Sequence, residues 1–88
     1  MSENMVTFFE QRGINGADRV PRRVLKKARG IICRLDEGHP YWKLRGKRMH
    51  YDRDVISIPV GRRWRILARW QGGKAIPRQI LSHERYSG

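Results

Sequence analysis

Apolar residues recur in two rhythms along this chain, and the change of rhythm separates a helical part from a strand-rich part. From Val24, the residues Ala28, Ile31 and Leu35 follow at helical spacing, with Leu25 and Ile32 widening the stripe. That pattern predicts an amphipathic helix. Asp18 is placed to cap it, Pro21 is tolerated only in its first turn, and Gly38 supplies a stop. Gly30 inside it costs about 1 kcal/mol relative to Ala. Further on, Ile56, Ser57, Ile58 and Val60 read as a strand, and Gly61 with Arg62 or Arg63 makes a tight reversal. Strict alternation follows, with Trp64, Ile66, Ala68 and Trp70 on one face and Arg65, Leu67 and Arg69 on the other. At strand rise the two arginines stand about 13 to 14 Å apart. Gln71–Lys74 is a hairpin turn with two glycines, and Ala75–Ser82 a further strand whose Pro77 marks an edge or a bulge. The segment His39–Tyr51, with Pro40 and Gly46, reads as extended or as a first strand.

The expected architecture is α+β: an N-terminal helical part packed on a twisted, mainly antiparallel sheet of three or four strands. Residues 1–17 form an arm that either docks Phe8 and Phe9 or stays mobile, and residues 18–88 form one domain.

Charge narrows the function. The chain has 88 residues, 20 Lys plus Arg against 8 Asp plus Glu, and a formal net charge of +12. An imbalance of that size steers a protein towards polyanions, RNA first among them, without specifying base sequence or chemistry. Arg22, Arg23, Lys26, Lys27, Arg29 and Arg34 share the polar side of the expected helix and suit a phosphate surface or an acidic protein partner. Lys43, Arg45, Lys47 and Arg48 crowd one short stretch. Cys33 is the single cysteine, so an internal disulfide and a thiolate metal cluster are excluded. No basic leader opens the sequence and no apolar run reaches membrane-span length, so the expected location is the cytoplasm.

The strand-turn-strand "ISIPVGRRWRILAR" and the ending "ILSHERY" resemble the RelE/ParE toxin superfamily of toxin–antitoxin systems over roughly Pro21–Tyr86. The likeness rests on a glycine-containing turn followed by an aromatic and an arginine, here Gly61, Trp64 and Arg65, and on a closing histidine and aromatic, here His83 and Tyr86. It implies N-terminal helices on an antiparallel sheet and a cognate antitoxin. That antitoxin is expected to present acidic and apolar groups to the sheet or to the Val24/Ala28/Ile31 helix. In ribonuclease members the strand arginine contacts the scissile phosphate and the terminal histidine or tyrosine moves protons; these roles carry over to Arg65, His83 and Tyr86. The first 17 residues do not match a typical start of the family. "YWKLRGKRMHY" also replaces a segment where some members keep lysines, and Lys43, Arg45 and Lys47 are the substitutes on offer. Gyrase-directed members share the scaffold, so resemblance alone does not choose the target.

The residues themselves fit RNA cleavage without a metal or other cofactor. Such cleavage needs a base for the 2′-hydroxyl, cations at the phosphate and an acid for the leaving 5′-oxygen. His83 carries the one common side chain whose unperturbed pKa lies near neutrality, and its neighbours Arg78 and Arg85 would favour the neutral form that acts as a base. His50 is a second acid or base candidate, whereas His39 reads as a turn residue. Arg69, Lys43, Arg45, Lys47, Arg62, Arg63, Arg78 and Arg85 are the candidate phosphate contacts. The scattered carboxylates form no spaced metal-ligand set. Three readings follow: an endoribonuclease toxin acting on mRNA, free or on the ribosome; a non-enzymatic inhibitor of DNA gyrase or another topoisomerase; and a nucleic-acid-binding module in which Trp42, Trp64 or Trp70 stacks bases.

Overall fold

Segments that alternate apolar and polar residues must bury one face, and here three of them do so against the helical N-terminal part of the chain. The computed structural model describes residues 5–82, so His83, Arg85 and Tyr86 lie outside the described residues. Its elements are helix α1 (Met5–Glu10), a 3₁₀ turn (Ala17–Arg19), helix α2 (Arg22–Asp36), a second 3₁₀ turn (Tyr41–Leu44), and strands β1 (Lys47–Arg48), β2 (Val55–Val60), β3 (Trp64–Gln71) and β4 (Lys74–Ser82). The strands form one antiparallel meander in the order β1-β2-β3-β4, an α+β fold.

Ile56, Ile58, Val60, Ile66, Ala68 and Ile80 supply the sheet side of the core. Leu25, Ala28 and Ile32 of α2 complete it together with Phe9, Ile14, Ala17 and Val20 from the N-terminal segment. The buried line of α2 is therefore Leu25/Ala28/Ile32, while Val24, Ile31 and Leu35 flank it half-buried. Phe9 is fully buried, so residues 5–20 share the domain's core.

Three local expectations change. Asp18 does not cap α2; it sits in the first 3₁₀ turn, and Pro21 occupies the cap position without a side-chain hydrogen bond. Residues 41–44 form a helical turn rather than a strand. Arg45 then takes a left-handed conformation (φ 65°) that redirects the chain and leaves β1 two residues long. Gly46 fits there because a Cβ would lie 2.9 Å from the Tyr41 carbonyl oxygen. The stop of α2 is as expected: Gly38 has φ 95°, with Gly38 N–H donating to Leu35 O (3.1 Å) and His39 N–H to Arg34 O (3.0 Å).

Pro77 acts through its missing N–H. Leu67 pairs with Gln79 but Ala68 with Pro77, so Arg78 is the extra residue of a β-bulge. The bulge turns the outer edge of β4 towards Asn15. Asn15 N–H donates to Arg78 O (3.0 Å) and Ile80 N–H to Asn15 O (2.9 Å), forming a short parallel bridge that ties the N-terminal segment to the sheet.

Candidate phosphate-binding face of the sheet

Neighbouring residues of a strand point to opposite sides, so packing one side on α2 leaves the other as a second surface. On β3 this surface carries Arg65, Leu67 and Arg69. Arg65 stands between Pro59 and Leu81, Leu67 between Ser57 and Gln79, and Arg69 between Val55 and Ile76. Lys47 of β1 faces Ser57 and joins the same side. No described helix packs on it. Lys47, Arg65 and Arg69 thus mark a triangle with Cα separations of about 12 to 13 Å, from the strand rise and spacing. Their side chains are long enough to converge on one or two phosphate groups, and Arg offers a planar fork of donors for that purpose.

The two ends of this face differ. At the Arg65 end lie Arg62 and Arg63, exposed in the turn between β2 and β3, and Ser82, the partner of Trp64. Arg65 has no ion-pair partner among the described residues. At the other end Arg69 Nη1 lies 3.6 Å from Asp52 Oδ2, an exposed pair of the weakly stabilising kind. Asp52 belongs to the β1–β2 loop, which is tied down by Met49 N–H to Val55 O (2.9 Å) and Asp54 N–H to Asp52 Oδ1 (3.0 Å). His50 is exposed in that loop, so the fold sets His50 and Arg65 at opposite ends of the face. Lys43 and Arg45 are exposed in and after the second 3₁₀ turn, and Arg78 is exposed in the bulge. Among the described residues no group of three or more His, Cys, Asp or Glu side chains is arranged to hold a metal ion, and no helix is long and apolar enough to cross a membrane.

Sequence reasoning grouped Arg48 with its basic neighbours, but strand alternation sends it to the other side. Its Nε donates to Tyr41 Oη (2.9 Å), one Nη to Arg53 O (3.0 Å), and its guanidinium lies 4.7 Å from the Trp70 ring centre. It is a brace. Trp64 and Trp70 pack on the core, leaving Trp42 (61% exposed) as the one tryptophan open to a stacking partner. Ser57 escaped notice because a lone serine in an apolar strand looks incidental. It is 3% exposed on the floor of the cationic face, and its Oγ is buried without a hydrogen-bond partner.

A separate cleft of about 690 Å³ opens between the end of α2 and the β3–β4 hairpin. Its walls include Leu35, Tyr41, Trp42, Trp70 and Pro77, with Asp36 held by Arg12 at 2.8 Å. Its lining is mixed, with Arg12, Asp36, Glu37, His39 and Lys74 beside the apolar groups, in contrast to the cationic face of the sheet.

Comparison with known proteins agrees with this architecture. The family model of the ParE-like toxin domain matches residues 22–88. Neither a curated protein nor a solved structure matches the chain. The matched span holds α2 and all four strands and covers well over half of the sequence. The chain therefore belongs to the ParE-like toxin domain family, and as a toxin of the toxin–antitoxin kind it has an antitoxin as its general partner.

Proposed function

We propose that the toxin acts on RNA as an endoribonuclease, with the sheet face bearing Lys47, Arg65 and Arg69 holding the phosphate backbone. The observation that carries this reading is the strand register that sets those three cations on one side of the sheet, which no described helix covers. Arg65, which has no ion-pair partner among the described residues, sits beside the scissile phosphate and stabilises the charge that builds there. His83 follows Ser82 in sequence, and Ser82 pairs with Trp64, the neighbour of Arg65. His83 takes the proton of the 2′-hydroxyl, whose oxygen attacks phosphorus as the bond to the 5′-oxygen breaks. Tyr86 stacks on the nucleotide or returns a proton to that oxygen. The placement of His50 at the Arg69 end favours contact with a flanking phosphate over the reacting one. An antitoxin silences the toxin by laying acidic groups on the same face, and the cytoplasm is where such a target is met.

The test is to map new 5′ ends after incubating the protein, without added metal, with mRNA that is free or engaged on translating ribosomes, with His83→Ala alongside. Discrete cuts lost in the variant support the reading; cuts confined to ribosomes place part of the site on the ribosome. Intact RNA in both settings, from protein shown to be folded, turns the function towards inhibition of DNA gyrase or another topoisomerase.

A further inference from the structure

Helix α2 is built against its own stability, and its exposed side is the reason. Its first turn holds Arg22 and Arg23 and no acidic residue, although the amino end of a helix carries partial positive charge. Arg22 and Lys26, and Arg23 and Lys27, stand four residues apart, where like charges repel. Nor does a side chain cap the helix. These arrangements each oppose helix formation, and the burial of Leu25, Ala28 and Ile32 on the sheet offsets them.

The cations lie in two adjacent rows on the side away from the core, Arg22 with Lys26 and Arg23 with Lys27 and Arg34. All five are exposed, and none forms an ion pair among the described residues. Arg29 differs, since its guanidinium rests on the Phe8 ring at 4.9 Å. From Arg22 to Arg34 the rows run about 18 Å along a straight helix. The helix contains no aromatic residue, and Trp42 and Tyr51, the exposed aromatics among the described residues, lie beyond it. Single-stranded nucleic acid is held by stacking as well as charge, whereas a duplex buries its bases and presents a rigid array of phosphates.

We infer that the exposed face of α2 is a second nucleic-acid site, which binds the sugar-phosphate backbone of a double helix through Arg22, Arg23, Lys26, Lys27 and Arg34. This site lies across the hydrophobic layer from the Lys47/Arg65/Arg69 face, so one molecule can hold a duplex region on one side and a single strand on the other. The inference stands independently of RNA cleavage.

The experiment measures binding of the full chain to a labelled 20-base-pair RNA duplex, and to the DNA duplex of equal length, between 50 and 200 mM salt. The wild type is compared with Arg23→Gln/Lys26→Gln/Lys27→Gln/Arg34→Gln and with Lys47→Gln/Arg65→Gln/Arg69→Gln. Losing four phosphate contacts lowers the salt slope by about 3 to 4, so the salt-driven loss of affinity across that range shrinks about a hundredfold. The helix variant is expected to show this for duplex while keeping its affinity for an unstructured single strand, and the sheet variant the reverse. Relief of the Arg23–Lys27 repulsion offsets the modest loss of Arg34 from the last turn, where a cation suits the helix dipole, so circular dichroism should show unchanged folding. Equal losses for both variants on both ligands would overturn the inference and leave only net charge. Unchanged duplex binding in the helix variant, with binding to polyglutamate lost instead, would also overturn it and assign the face to an acidic protein.

Discussion

Gly16→Ala probes how the N-terminal segment is fastened to the sheet. Gly16 has φ +92°, and a Cβ there would run into the Ile80 carbonyl oxygen of β4. The left-handed conformation costs a non-glycine residue about 1–2 kcal/mol. Relieving the collision moves residues 14–16 off the edge of β4 and breaks the Asn15–Arg78 and Ile80–Asn15 hydrogen bonds, each worth about 1 kcal/mol. The sum is about 3–4 kcal/mol, equivalent to a fall in Tm of roughly 12–30 °C for a domain of this size. Thermal melting followed by circular dichroism reads the shift. Proteolysis provides the local readout, because freeing Ile14 and Ala17 from the core exposes residues 10–20 to cleavage before the sheet unfolds. A melt within about 4 °C of wild type and unchanged proteolysis would refute the reasoning.

Two further substitutions test neighbouring claims. Gly30→Ala should stabilise α2 by about 1 kcal/mol, because a Cβ there meets nothing within 4 Å; a lowered midpoint in urea would contradict the helix geometry. Arg48→Met should cost about 2 kcal/mol through two lost hydrogen bonds and the contact with Trp70. Lys47→Met, one residue away on the other face, should leave urea stability within about 0.5 kcal/mol and lower RNA affinity instead; equal stability losses would erase the assigned division of faces.

Period-two alternation made β2, β3 and their two faces readable in advance, since Ile56, Ile58, Ile66 and Ala68 repeat at the interval of a sheet with one buried side. Gly72 (φ 58°) and Gly73 (φ 77°) form the turn that "QGGK" announced, and Pro77 marked its bulge. What was not readable depends on contacts distant in sequence. The bridge from Asn15 to β4 has no local signature, and the helical turn at Tyr41–Leu44 is held by Tyr41 packing on Trp70 at 5.7 Å. Arg48 looked like any other cation until its alternation partner, Ile56, fixed its side. In the candidate site, Arg65 and Arg69 were legible because both lie on one regular strand. Their relation to Lys47 depended on the register of a two-residue strand, and the unpartnered hydroxyl of Ser57 depended on the height of its neighbours.

The most direct test of the RNA-directed reading is the single-turnover cleavage rate of Arg65→Ala against wild type, at RNA concentrations that saturate both. Loss of a preorganised cation beside the reacting phosphate predicts a rate about 10²- to 10³-fold lower, with RNA affinity falling far less because Lys47 and Arg69 remain. An unchanged rate, or affinity falling in step with rate, would contradict the account by removing Arg65 from the reacting phosphate.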